Sequence, residues 1–304
     1  MSSNPSRTEF GYYPKPLSLV VGAVSIDTLP SLDEKVRDIA AAETLEADWV
    51  YAPTKQAYQM GHGFRDLPYP ARVFGLPKTH VIAHTSPDGA EHIEFLLWAL
   101  SFILGMRLTA TEAGFVDSTP IRPGKLVDFV TADKSFEVLL GKAEAFWQSN
   151  KIRPHCAKTF GAAVHALFLA QHPRSLQFEK FIYLYTAIDA CYALASTLHA
   201  PPSRLSHARR IVWMCDLFRM TSPDWGTPTG SSTEVSRLRN ATIHEALFAG
   251  EPLGFSTGTS GSNRNMPLEM EALVCRLLVS LLGGSSSDYV RTPVNTRSKH
   301  RLTL

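Results

Sequence analysis

Arg239-Asn240-Ala241-Thr242-Ile243-His244 puts a cation, an amide and an imidazole into one short stretch of chain. An imidazole, with an ordinary pKa of ~6.5, takes or gives a proton near neutral pH. A guanidinium stays charged and matches a phosphate with its planar fork. Together these groups suit cleavage of RNA by its own ribose 2′-OH. That reaction needs a group to accept the 2′-OH proton and a group to protonate the leaving 5′-oxygen. It also needs a cation against the charge that builds on the phosphorane. Nothing in this scheme calls for a metal or an organic cofactor, and none is expected.

The residues around this stretch predict what holds it. Apolar spacing gives a helix from Thr233 to Phe248, with Thr233 as its cap. At roughly 100° per residue, Arg239 and His244 point about 140° apart, whereas Asn240 and His244 share a face. Ile243 and Leu247 point between those directions. An apolar strip with polar margins suits a two-fold homodimer interface, which would bring two Arg-His pairs together. Further helices are expected over 157–171, 176–198, 206–220 and 267–282, separated by His172-Pro173, Pro201-Pro202 and two polar loops. They make residues 156–284 a helical bundle. Residues 1–155 read as a mixed α/β domain of unrecognised fold. It has a strand over 17–26, a helix over 32–47 capped by Ser31, strands over 47–51 and 71–84, and helices over 91–108 and 126–149. The class is therefore α+β. Residues 285–304 carry Arg291, Arg297, Lys299, His300 and Arg301 and read as a mobile basic tail.

An Arg followed after four residues by a His, with Asn directly after the Arg, in the last-but-one helix of an all-helical region, resembles the R-x4-6-H motif of the HEPN family. The likeness covers roughly residues 157–283. It implies a metal-independent endoribonuclease that works as a homodimer. Arg239 and His244 would be catalytic, and Asn240 would be the polar residue that follows the Arg. In the family an acidic or polar residue of an earlier helix supports the pair, and Asp189 stands where that helix would place one. Arg204, Arg209 and Arg210 would contact RNA phosphates, beside His207 in the same basic cluster. The resemblance further implies a toxin, antiphage or stress-response role with a regulatory or antitoxin partner, and the N-terminal region would then act as a sensor, specificity or regulatory domain. Two alternatives stay open: a non-catalytic HEPN-fold module for dimerisation or for RNA or protein binding, and a different enzyme in the N-terminal domain.

Composition bounds these readings. The chain of 304 residues is 44% hydrophobic and 19% charged, so it forms cores. A net charge of +2 makes RNA contact a matter of local patches. The apolar run 95–106 is shorter than the ~20 residues a bilayer requires, so no membrane partner is expected. Cys156, Cys191, Cys215 and Cys275 form no C-x-x-C pair and read as reduced core thiols of a cytoplasmic protein. Gly254-Phe-Ser-Thr-Gly258 matches G-x-S-x-G but follows a helix, where a nucleophile elbow needs a strand. His80, His84 and His92 lack convincing ligand spacing and read as surface or core histidines.

Overall fold

β-branched runs punctuated by turn residues build the first half, and long apolar-periodic helices build the second, so the chain is α+β. The computed structural model describes residues 6–71, 73–110, 115–116, 118–132, 134–201, 203, 205–254, 266–296 and 301–304. They divide into two units, Met1–Leu126 and Val127–Leu304.

In the first unit β1 (Ser6–Phe10) is followed by β2 (Leu19–Val21) and β3 (Val24–Thr28). The stretch 17–26, expected as one strand, is a hairpin. Gly22 takes φ +58, a left-handed turn open to glycine, and sets Leu19 opposite Ile26. Helix α1 (Leu32–Ala40) starts after Ser31 but ends well short of residue 47, and Ser31 makes no side-chain cap. Next come β4 (Leu45–Glu46), β5 (Trp49–Tyr51) and the two-stranded ribbon of β6 (Thr54–Gln59) and β7 (Gly63–Pro70). A ribbon with open edges tolerates the prolines of β7. Then follow β8 (Val73–Phe74), β9 (His80–His84), helix α2 (Ala90–Leu104), β10 (Phe115–Val116) and β11 (Ser118–Pro120). The main sheet is antiparallel with order β1-β9-β3-β2. Val24, Ile26, Val81 and Ile82 of its central strands are buried, as is most of α2.

The second unit runs β12 (Val130–Thr131), α3 (Ser135–Asn150), α4 (Pro154–Ala170), α5 (Gln177–His199), α6 (His207–Phe218) and α7 (Glu234–Asn240). It continues with β13 (Leu247–Phe248), β14 (Glu251–Pro252), α8 (Met266–Val279), α9 (Asp288–Arg291) and β15 (Arg301–Leu302). The expected domain boundary after residue 155 lies instead after Leu126. The reason is α3, whose Phe146 ring meets Phe160 of α4 at 6.0 Å and whose Lys142 donates to Gly283 O at 2.8 Å. Of the helix expected over 126–149, the first part is a turn and bend followed by β12.

Helix α5 packs on α4 and α8. Among the described residues it is the one helix long and apolar enough to cross a membrane by length and composition, and 44% of its apolar window is buried. All four cysteines are free and buried, and burial pushes the Cys215 thiol up to about 12.

The tail expected to be mobile is structured where it is described. Arg276 of α8 is 1% exposed and donates to Asp128 at 2.8 Å and to Thr292 O at 3.0 Å. The Tyr289 hydroxyl donates to the same carboxylate, and its ring lies 4.4 Å from the guanidinium carbon. A buried cation demands such partners. β15 pairs in parallel with β12, Leu302 is fully buried, and Leu304 N donates to Ser135 Oγ at 3.1 Å. Residues 297–300, with three of the tail's basic groups, lie outside the described residues.

Candidate functional site

Helix α7 begins on a reciprocal cap. Ser236 N donates to Thr233 Oγ1 at 3.1 Å, and Thr233 N donates to Ser236 Oγ at 2.8 Å. The helix was expected to run to Phe248, and here the structure corrects the expectation. The α-helical bonding ends at Asn240, and Ala241–Glu245 forms a π turn closed by Ala246 N donating to Ala241 O. Ala246 then takes φ 55, and Leu247 and Phe248 form β13, paired with β14. Two local causes are visible. Thr242 Oγ1 donates back to Leu238 O at 2.7 Å, which loosens a helix, and Phe248 turns inward to meet Phe181 of α5 at 5.7 Å. Leu247 therefore leaves the helical face on which it was expected to join Ile243, and Ile243 is 51% exposed.

The π turn decides which side chains meet. On an α-helix Arg239 and His244 diverge, but an i→i+5 turn brings residues at that spacing onto one side. Arg239 Nη1 donates to His244 Nε2 at 3.1 Å and to Asn240 Oδ1 at 3.1 Å. Both Asn240 and His244 are exposed, while the Arg239 Nε is buried and has no hydrogen-bond partner among the described residues.

Two other helices add to this triplet. On α5, Tyr185, Asp189 and Tyr192 recur at helical spacing along one face. On α6, His207, Arg210 and Trp213 do the same. Asp189 Oδ1 accepts from Arg210 at 2.8 Å, and its Oδ2 lies 3.8 Å from His207 Nδ1. The Tyr185 hydroxyl is 2.8 Å from that same Nδ1, with the two rings stacked at 6.1 Å. Arg210 also lies over the Tyr192 ring at 4.6 Å, and Tyr192 meets Trp213 edge-on. Burial first, then the Asp189 charge, pushes the Tyr185 phenol up to about 12, against Arg210 and Arg239. Burial, Arg210 and Arg239 lower the His207 pKa, and Asp189 partly opposes them. Arg239 thus acts on Tyr185 and His207 as well as on His244.

Of the residues singled out by sequence, Arg239, Asn240 and His244 are in direct contact. Asp189 is oriented by Arg210 and faces His207, rather than bonding Arg239 or His244. Arg209 is exposed on α6 and takes no part in these contacts. Arg204 lies outside the described residues, as does the G-x-S-x-G string from Phe255 onward. Tyr185 and His207 were missed as site residues. The available signal was Tyr185 one helical turn before Asp189, and His207 one turn before Arg210.

His80, His84 and His92 of the first unit are buried core groups. His80 stacks on Phe10 at 5.7 Å, and burial lowers its pKa. His84 faces His92 at 4.6 Å rather than His80. A cavity of about 80 Å³ in the second unit lies away from the Arg-His turn, among Gln171, Gln177, Lys180 and Glu271. Burial, aided by the Asp128 charge, raises the Glu271 carboxyl to about 7 against a Gln171 hydrogen bond and the Lys180 charge. Comparison with models of known protein families, with curated proteins and with solved structures finds no match for this chain.

Proposed function

We propose that this chain is a metal-independent endoribonuclease of HEPN type that cuts RNA through the attack of the RNA's own 2′-OH. The observation that carries the reading is the 3.1 Å contact of Arg239 with His244 on an exposed π turn, backed by the Asp189–Arg210 pair. Such turns inside helices recur at functional sites. Arg239 binds the scissile phosphate and offsets its transition-state charge, His244 transfers a proton, and Asn240 aims the guanidinium. Arg209 and Arg210 guide the RNA backbone. Ile243, exposed beside the turn, is a contact of a homodimer, whose mass light scattering reads. The first unit acts as sensor or specificity domain. The protein works in the cytoplasm in a toxin, antiphage or stress-response role, under a regulatory or antitoxin partner.

A second reading has an observation of its own. Arg239 directs its Nη1 to Asn240 and His244 within the chain, as a purely structural arginine would. The bundle would then be a non-catalytic module for dimerisation or for RNA or protein binding.

Purified protein incubated with total RNA in EDTA, beside a His244→Ala control, separates the two. The nuclease cuts in EDTA and leaves 2′,3′-cyclic phosphate ends. Arg239→Ala and His244→Ala each lose roughly a hundredfold or more in rate with an unchanged circular dichroism spectrum. Cleavage only with added divalent metal, or a His244→Ala protein that cuts like the wild type, makes the non-catalytic module the better account.

A further inference from the structure

We propose that His207, on α6 of the same chain, is the proton-transfer partner of His244, so that one chain carries both imidazoles of the cleavage site. This deepens the nuclease reading and rests on it.

The geometry around His207 is that of a held base. Its side chain is 39% exposed, so RNA can reach it. Its Nδ1 side is occupied from behind by α5, with the Tyr185 oxygen at 2.8 Å and Asp189 Oδ2 at 3.8 Å. Two oxygens on that side favour a proton on Nδ1, which leaves the Nε2 lone pair basic. Among the described residues Nε2 makes no hydrogen bond. Tyr185 stays a neutral phenol across the physiological range and fixes the ring by stacking. The charged and titratable groups facing His207 are Tyr185 and Asp189 on α5, Arg210 on α6 and Arg239 from α7. Burial and the two arginines outweigh Asp189, so the imidazole is neutral at neutral pH, the form a base requires.

Arg239 links the two histidines, since it touches His244 and its charge reaches His207. A phosphodiester held by Arg239 and Arg210 lies between them. His207 Nε2 takes the 2′-OH proton as O2′ bonds to phosphorus. As Arg239 turns to the phosphate, His244 Nε2 is freed to take a proton from water, and it passes that proton to O5′ as the P–O5′ bond breaks. The products are a 2′,3′-cyclic phosphate and a 5′-hydroxyl. One proton has moved from O2′ to O5′ and nothing is oxidised or reduced.

The test is the pH–rate profile of a short oligoribonucleotide in EDTA, over about pH 5 to 9, where imidazoles titrate. The full-length wild type is compared with His207→Asn, His207→Ala and Tyr185→Phe. The expected result is a loss of roughly a hundredfold or more in kcat for His207→Asn. The acidic limb flattens, KM changes little, and added imidazole partly restores His207→Ala. Tyr185→Phe keeps its fold and moves the acidic limb, which serves as the reading should His207→Asn unfold. A wild type that cuts while His207→Asn keeps the wild-type profile overturns His207 and leaves the nuclease reading standing. A pH-independent loss without imidazole rescue also overturns it. A wild type that does not cut RNA in EDTA removes both.

Discussion

Arg239 is the residue on which the site turns, because a single guanidinium nitrogen serves two acceptors, Asn240 Oδ1 and His244 Nε2. Both acceptors are exposed, so an arriving phosphate competes with water-accessible bonds rather than with a buried network. On the proposed nuclease reading, Asn240 positions the fork without touching the reacting atoms. Asn240→Ala is expected to lower cleavage about tenfold, the worth of roughly one hydrogen bond to a charged group, with no change in melting temperature. A loss as large as that of Arg239→Ala would make Asn240 a direct substrate contact instead. Arg239, Asn240 and His244 could be found in the sequence because a local turn joins them. Tyr185 and His207 could not be assigned that way. They lie on different helices and meet only when α5 packs on α6, and the Tyr185 ring fits an apolar stripe as well as it fits a site.

At the scale of elements, the turn after α7 departs furthest from expectation. Periodicity foresaw the start of the helix correctly, since Thr233 and Ser236 close the cap. It missed the end, because Phe248 docks on Phe181 and draws Leu247 into a strand. Tertiary packing outweighed local pattern there, and it also widened the turn that joins Arg239 to His244. Thr233→Ala removes the cap of a buried helix start and is expected to cost about 1–2 kcal/mol in urea unfolding. If instead the midpoint does not move, the cap contributes nothing and the Phe248 contact alone holds the segment.

For the molecule as a whole, the α+β division was legible, since β-branched runs and long helical periods fall in different halves. The position of the boundary was not. It was expected after residue 155, but α3 belongs with the bundle through Phe146, which meets Phe160, and through Lys142, which reaches Gly283. Inside that bundle Glu271 titrates unusually high, at about 7, where an unfolded glutamate sits near ~4.3. The fold holds the protonated form, so this group stabilises fully at acidic pH, and that contribution fades as pH rises through about 7. Glu271→Gln should therefore raise stability by up to about 3 kcal/mol at about pH 8, read as a higher melting temperature, and change little at about pH 4. An equal shift at both values would show that the carboxyl does not titrate within the fold.

The parallel pairing of β12 with β15 has a consequence for how the protein comes into being. Chains emerge from the ribosome N-terminus first, and domains fold as units as they emerge. The first unit finds its sheet partners within its own residues, β1 through β11. The second closes by contacts between its opposite ends: Val130 beside Arg301, and Leu304 bonded to Ser135 across a separation of 169 residues. Asp128 likewise waits for Arg276 and Tyr289. The helix and turn that carry Arg239 and His244 are thus made before the bundle around them can shut. A nascent chain not yet extended through β15 holds an unfinished second unit, and on the nuclease reading an RNA-cutting site there is completed only once Arg301 and Leu302 have paired with β12.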